Sequence, residues 1–378
     1  MNRKKILVSA FTHLNLGDDL FLKILFGRYP DADFVLIGEK EKYINIFKSK
    51  NVSYLQFPKT IIDNPYIRKI AMKFFFRLYV EFKYWINKNF LIKKQSQFDA
   101  VISIGGSIFI QPRSKFLYKK NFHFVFADVF ENKPKFILGA NFGPYTDESF
   151  LDNYKDLLKK YTDVCFRDWY SKSLFSDLEN VRQSPDIVFS LKTVITPLRN
   201  KTVGFSLIDI AGRDYLKQYT EAYENYILKL IRHFGEKNYT LYLFSFCKAE
   251  GDEKMINKLY AKIPSDYRSK VEKVFYNGDI SSFLSVFNNM EVMFATRFHA
   301  MILSLITNQK TIPIIYSNKM KHVLKDINFT GHFIEIDKVN PIEDIYSEEL
   351  ITIHNLSESI TKQAEDHFIK LDNFLLYK

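Results

Sequence analysis

Short apolar runs alternate along this chain with longer stretches in which apolar positions recur every three or four residues. Residues 6–10, 34–37, 101–104, 136–138 and 164–166 have the composition of buried strands, and the stretches between most of them carry helical periodicity. That alternation predicts a mostly parallel, doubly wound sheet. Turn residues gather from Ser184-Pro-Asp to Thr196-Pro-Leu-Arg-Asn200, and a second strand series then opens. Its members are 202–207, 241–245, 274–276, 292–295, 311–315 and 333–336. The pattern therefore predicts two Rossmann-like domains, 1–198 and 199–378, parting near Thr196 to Asn200. In the tail, Leu356, Ile360, Ala364, Phe368, Leu371 and Leu375 share one stripe, which predicts an amphipathic helix closing the second domain.

Two α/β halves in series, facing one another across a cleft, resemble the GT-B architecture. A length of 378 residues fits two cores better than one. Hydrophobic and charged contents of 47% and 26% belong to an ordinary globular protein. The formal net charge of +11 points to anionic partners such as phosphorylated substrates or an anionic membrane. The cations are scattered and accompanied by no recognised nucleic-acid motif, so nucleic acid is not expected as a partner. Cys165 and Cys247 are too few and too far apart for a disulfide framework or a thiolate metal site. No histidine pair shows zinc spacing beside a carboxylate. The basic start Met1-Asn-Arg-Lys-Lys precedes an apolar run too short for a signal peptide, and no run approaches the ~18 apolar residues of a membrane span. The expectation is a cytoplasmic protein.

Candidate chemistry lies where the strands end, the edge at which open parallel sheets bind ligands. Arg297 and His299 stand between the strand 292–295 and an apolar helix start, whose unpaired N–H groups favour anions. Lys319 follows the next strand, beside Tyr316. Near the N-terminus, Leu14-Asn-Leu-Gly-Asp-Asp-Leu20 follows the first strand. There Gly17 permits close approach, Asp18 or Asp19 would cap the following helix, and Asn15 and Asp18 could meet a hydroxylated substrate. Gly105, Gly106 and Ser107 end another strand and would present bare N–H groups to a phosphate or carboxylate. The turn Asn141-Phe-Gly-Pro144 and the pair Arg167-Asp168 end two more. An arginine so placed can grip an anion bidentately, or simply pair with Asp168 or cap a neighbouring helix.

A further signal runs over residues 66–94. Lys69, Lys73, Arg77, Lys83, Lys88 and Lys94 fall on one side of a helical wheel, with aromatic and aliphatic residues including Trp85 over much of the rest. The pattern predicts one basic aromatic helix, either a solvated domain helix or a helix that lies on a membrane surface.

Taken in order, Asn15-Leu-Gly-Asp18, Ile104-Gly-Gly-Ser107, Phe142-Gly-Pro144, Arg167-Asp168 with Ser171, Asp186 before Phe189, Arg297-Phe-His299-Ala300 and Tyr316-Ser-Asn-Lys319 resemble the polysaccharide pyruvyl transferase family. The third glycine usual after the Gly-Gly strand is Ser107 here, and Asp186 lacks the proline that often follows it. The resemblance implies transfer of a pyruvyl group from phosphoenolpyruvate to two hydroxyls of a sugar, forming a cyclic ketal in a bacterial surface polysaccharide precursor. It implies no metal or organic cofactor. The acceptor it implies is a glycan on a polyprenyl diphosphate carrier at the inner membrane face, where the basic aromatic helix would hold the enzyme. In that scheme His299, Arg297, Lys319 and Asp18 are catalytic. Asn15, Gly17, Gly105, Gly106, Ser107, Arg167, Asp186 and Tyr316 bind substrate. His299 is the expected acid that protonates the enol carbon, and Asp18 or Asp186 would accept hydroxyl protons. Two other readings share the architecture: a glycosyltransferase using a nucleotide sugar, and a non-catalytic glycan-binding protein.

Overall fold

A computed structural model describes residues 3–192, 200–339 and 352–376. The chain divides into two compact units. The first comprises residues 1–12, 22–184 and 365–378, the second residues 13–21 and 185–364.

The first unit is built on seven parallel strands: β1 (Lys5–Ser9), β2 (Asp33–Ile37), β3 (Val52–Leu55), β4 (Ala100–Ile104), β5 (Lys135–Ala140), β6 (Asp163–Phe166) and β7 (Val181–Gln183). They lie in the order β3-β2-β1-β4-β5-β6-β7. The central strands read as continuous apolar runs because helices cover both faces of such a sheet. Ile6, Leu7 and Val8 of β1 and all of β4 and β5 are buried. Register follows from that burial, with Ile6 opposite both Phe34 and Ala100. The order reverses between β1 and β4, so the loops after β4, β5 and β6 leave the sheet on the same side of the reversal.

The second unit repeats the plan with β8 (Thr202–Ser206), β9 (Thr240–Ser245), β10 (Val271–Phe275), β11 (Val292–Ala295), β12 (Lys310–Ile315) and β13 (Ile334–Glu335), in the order β10-β9-β8-β11-β12-β13. Every pairing is parallel. Its reversal lies between β8 and β11, where Ala295 sits opposite Ser206. Two doubly wound parallel sheets of this kind form the expected GT-B-like fold, each with its own switch point.

Three expectations change. The boundary placed at 198–199 lies outside the described residues, and the compact units part instead between Ser184 and Pro185. The C-terminal stripe does form helices, Glu358–Glu365 and Ile369–Leu375, but residues from Glu365 onward count with the first unit rather than closing the second. Specific polar contacts explain this. Arg28 grips Asp372 through two hydrogen bonds of 3.1 and 2.8 Å, Tyr29 donates to the same carboxylate, and Arg182 donates to the His367 carbonyl. Finally, the predicted helix 66–94 is two helices, Pro65–Phe74 and Phe76–Lys94, interrupted at Phe75 (φ −129°, ψ 33°).

Candidate active site

In the second unit the site grows from the ends of β8, β9, β11 and β12. β11 runs into the helix Phe298–Ile306, with Arg297 at its N-cap and the Arg297 N–H donating to Ser206 Oγ on the neighbouring β8 end. The Arg297 side chain is buried and turned toward the loop after β9. Its Nε donates to Asp252 at 2.9 Å, a second nitrogen binds the other oxygen of the same carboxylate, and Nη1 reaches Glu250 at 2.5 Å. Asp252 also accepts the Phe246 and Cys247 N–H groups, so one carboxylate shapes the turn and holds the guanidinium. Burial opposes the charge on Arg297, but Asp252 and Glu250 outweigh it and raise the pKa further above its ordinary value. For Glu250, burial acts upward, yet Arg297, Arg213 and Lys319 together keep the carboxyl below its usual range.

Arg213 and Lys319 complete a cationic cluster. Arg213 donates to Glu250 at 3.0 Å and its guanidinium carbon lies 5.2 Å from the Tyr316 ring centroid. Lys319 Nζ lies 5.6 Å from the ring centroids of both Tyr316 and Phe298. Burial alone would raise the Tyr316 phenol, but Lys319, Arg213 and Arg297 pull it below 10, the ordinary value. A buried phenol in a field of three cations marks a place suited to negative charge.

His299 sits two residues beyond Arg297. Its Nε2 is 3.7 Å from the fully buried Asp186 carboxylate, whose other oxygen accepts the Val188 N–H. Phe21 and Phe298 pack edge-on against the imidazole, each with centroids 5.1 Å apart. The remaining face is closed by Gly17. A Cβ there would fall 1.7 Å from His299 Nδ1, so only glycine admits the ring in this position. The helix Leu16–Arg28 that carries Gly17 is capped by Asn15, whose Oδ1 accepts the Gly17 N–H while its amide donates to Glu250 at 3.1 Å.

The expected capping by Asp18 or Asp19 is thus corrected. Both lie inside the first turn, three and four residues past the capping Asn15, where a side chain does not take the N-cap role. Asp19 is buried and takes the Tyr276 hydroxyl at 2.7 Å, and Asp18 is half-buried on that turn. Asp186, expected to touch substrate, is turned inward to His299.

In the first unit the expected residues assemble around Arg167. The Arg167 N–H extends the sheet by donating to Ala140, and its buried guanidinium donates to Asn141 Oδ1 at 2.6 Å. Ser107 Oγ donates to the same oxygen at 3.1 Å. Gly106 passes so close that a Cβ would lie 2.4 Å from Arg167 Nη1, and Gly105 has φ +148°. Asp168 does not pair with Arg167 in this arrangement; it caps the next helix by accepting the Ser171 N–H, and Ser171 Oγ accepts the Phe142 N–H.

Sequence reasoning missed Arg213, Glu250, Asp252 and Tyr276. A signal existed for two of them, because Glu250-Gly-Asp252 closely follows a strand end, the same position that drew attention to Arg297.

Comparison with known proteins bears on both units. The family model for polysaccharide pyruvyl transferase matches residues 15–318. The amylovoran biosynthesis protein AmsJ of Erwinia amylovora is 22% identical over 292 residues, covering 68% of each chain. Among solved structures, Anabaena Alr3699/HepE in complex with UDP and glucose aligns with a TM-score of 0.56 and 13% identity over 100% of both chains. The UDP-GlcNAc 2-epimerase of Methanocaldococcus jannaschii aligns with a TM-score of 0.54 and 9% identity, also over 100% of both. At these identities the two structural likenesses show the fold alone.

Proposed function

Because this chain belongs to the polysaccharide pyruvyl transferase family, we propose that it moves the pyruvyl group of phosphoenolpyruvate onto two hydroxyls of one sugar, making a cyclic ketal and releasing phosphate. The acceptor in this reading is a bacterial surface polysaccharide precursor carried on a polyprenyl diphosphate. The observation that carries the reading is the gathering of Arg213, Arg297 and Lys319 about Tyr316, with the His299–Asp186 pair at the adjoining helix start. Phosphoenolpyruvate presents a phosphate and a carboxylate on three carbons. Three cations and a helix N-terminus suit so compact an anion.

The carboxylates refine the roles. Asp252 and Glu250 already match Arg297, so in this account Arg297 fixes the field and the β9 loop. The donor's charge falls chiefly to Arg213, Lys319 and the N–H groups at the start of the helix Phe298–Ile306. Arg167 with the Gly105–Ser107 loop offers the first unit's own anion site. His299 gives a proton to the methylene carbon, leaving a methyl group and a cation-like C2. A helix start disfavours the imidazolium, whereas Asp186 at 3.7 Å and the bound anion favour it. One sugar hydroxyl adds to C2, the C2–O bond to phosphate breaks, and the second hydroxyl closes the ketal. Of the two hydroxyl protons, one restores the acid and the other leaves with phosphate. Asp18, in the first turn of the helix Leu16–Arg28, is the carboxylate that takes the first of them before it returns to His299.

The test is phosphate release from phosphoenolpyruvate by the purified chain, with and without lipid-linked glycans, and by His299→Ala. Acceptor-dependent release that His299→Ala loses, with donor binding retained, supports the reading. Release independent of acceptor, or unchanged in His299→Ala, refutes it.

A further inference from the structure

The helix Pro65–Phe74 contains Tyr66, Ile67, Ile70, Met72 and Phe74, yet none of its residues is buried. An amphipathic helix in a water-soluble fold normally hides its apolar stripe. Here Tyr66, Ile70 and Phe74 are 81%, 56% and 66% exposed, and the stripe continues past the break at Phe75 through Leu78, Phe82 and Trp85, all exposed. Phe82 and Trp85 stack with centroids 6.1 Å apart. Contiguous apolar surface of this extent marks a contact face.

The cations sort into two groups that the sequence alone had merged. Lys83 is held by Asp63 and Lys88 by Asp128, both within hydrogen-bond distance, and Lys120 reaches back to Glu81. Those pairs, with the fully buried Leu91, fasten the second helix to its unit. Arg68, Lys69, Lys73 and Arg77 make no ion pair among the described residues, and they lie beside the apolar stripe near the break. Asp63 and Glu81, the acidic residues of 61–94, are both already engaged by lysines.

We propose that the two helices on either side of Phe75 dock this chain onto an anionic lipid bilayer. In this geometry Phe74, Phe75 and Leu78 enter the headgroup layer, and Arg68, Lys69, Lys73 and Arg77 meet lipid phosphates. Apolar wedge and unpaired cations together match an interfacial surface of that charge. The inference rests on this surface alone and stands whether or not the chain transfers pyruvyl groups.

Trp85 and Trp169 are the two tryptophans, so the full chain carrying Trp169→Phe reports on Trp85. Phosphatidylglycerol-containing vesicles should shift its emission to the blue and brominated acyl chains should quench it, while pure phosphatidylcholine should do neither. Replacing Lys69, Lys73 and Arg77 by alanine should weaken partitioning roughly a hundredfold, each cation near a charged surface adding about 1 kcal/mol. Phe74→Ala with Leu78→Ala should abolish quenching while circular dichroism stays unchanged. No response to phosphatidylglycerol overturns the proposal. So does a blue shift that follows protein concentration without lipid, since a second copy would then cover the face. Turnover on a delipidated acceptor, followed in parallel, keeps this result separate from the catalytic reading.

Discussion

Gly17→Ala separates the position of His299 from the stability of the fold. The added Cβ would lie 1.7 Å from Nδ1 and 2.5 Å from Cε1 of His299, far inside van der Waals contact. The imidazole must therefore move by more than an ångström, away from a pocket whose other walls are Phe21, Phe298 and Asp186. Overpacking of this kind costs about 1–3 kcal/mol. Alanine offsets up to about 1 kcal/mol of that through its higher helix propensity, since Gly17 has helical surroundings in Leu16–Arg28. Net destabilisation should be about 3 kcal/mol or less. Catalysis should suffer far more, because misplacing a reacting group by about 1 Å costs on the order of 10²-fold in rate. Gly27→Ala in the same helix is the matched control, since nothing lies within 4 Å of its added Cβ. Urea unfolding and turnover should show Gly17→Ala folded and nearly inactive, and Gly27→Ala folded and active. Full activity in Gly17→Ala would refute the claim that His299 works from this position.

Gly106→Ala should push the Arg167 guanidinium off Asn141, because its Cβ falls 2.4 Å from Nη1; calorimetry should then find the first unit's anion site at least tenfold weaker for inorganic phosphate, with a folding cost of about 1–3 kcal/mol. Asp252→Ala strands the buried Arg297 charge and should cost about 3–5 kcal/mol by urea unfolding, whereas Asp252→Asn, which still accepts the Phe246 and Cys247 N–H groups, should cost less. Burial pulls the His123 imidazole down to about 4, so between its ordinary value and that pH the unfolded chain holds a proton the native state refuses. Stability should fall as pH drops through this window, by up to about 3 kcal/mol from this residue. His123→Gln should remove that part of the slope in unfolding curves at pH 7 and 4.5.

Legibility tracked burial. Both sheets were readable because their central strands are buried throughout and mostly apolar, as β4 and β5 illustrate. The strands β3 and β7 escaped notice because each lies at a sheet edge and mixes polar residues into a short run. Arg297, His299 and Lys319 were found because strand ends announce themselves locally. Their partners were not, since Arg213, Glu250 and Asp252 come near Arg297 only through the order β9-β8-β11, a pairing no periodicity encodes. The C-terminal stripe disclosed that a helix buries one face, but not which sheet receives it. Arg28 and Tyr29, nearly 350 residues away in sequence, decide that through Asp372. The break at Phe75 carried no signal, for neither proline nor glycine marks it.

The central claim is that the cluster about Tyr316 recognises phosphoenolpyruvate, and thermal unfolding with candidate donors tests it without knowledge of the acceptor. A ligand at a hundred times its Kd stabilises the state it binds by about 2.7 kcal/mol. The account predicts stabilisation by phosphoenolpyruvate, lost in Arg213→Ala with Lys319→Ala, and none by UDP-sugars. Stabilisation by a UDP-sugar with no response to phosphoenolpyruvate would contradict it.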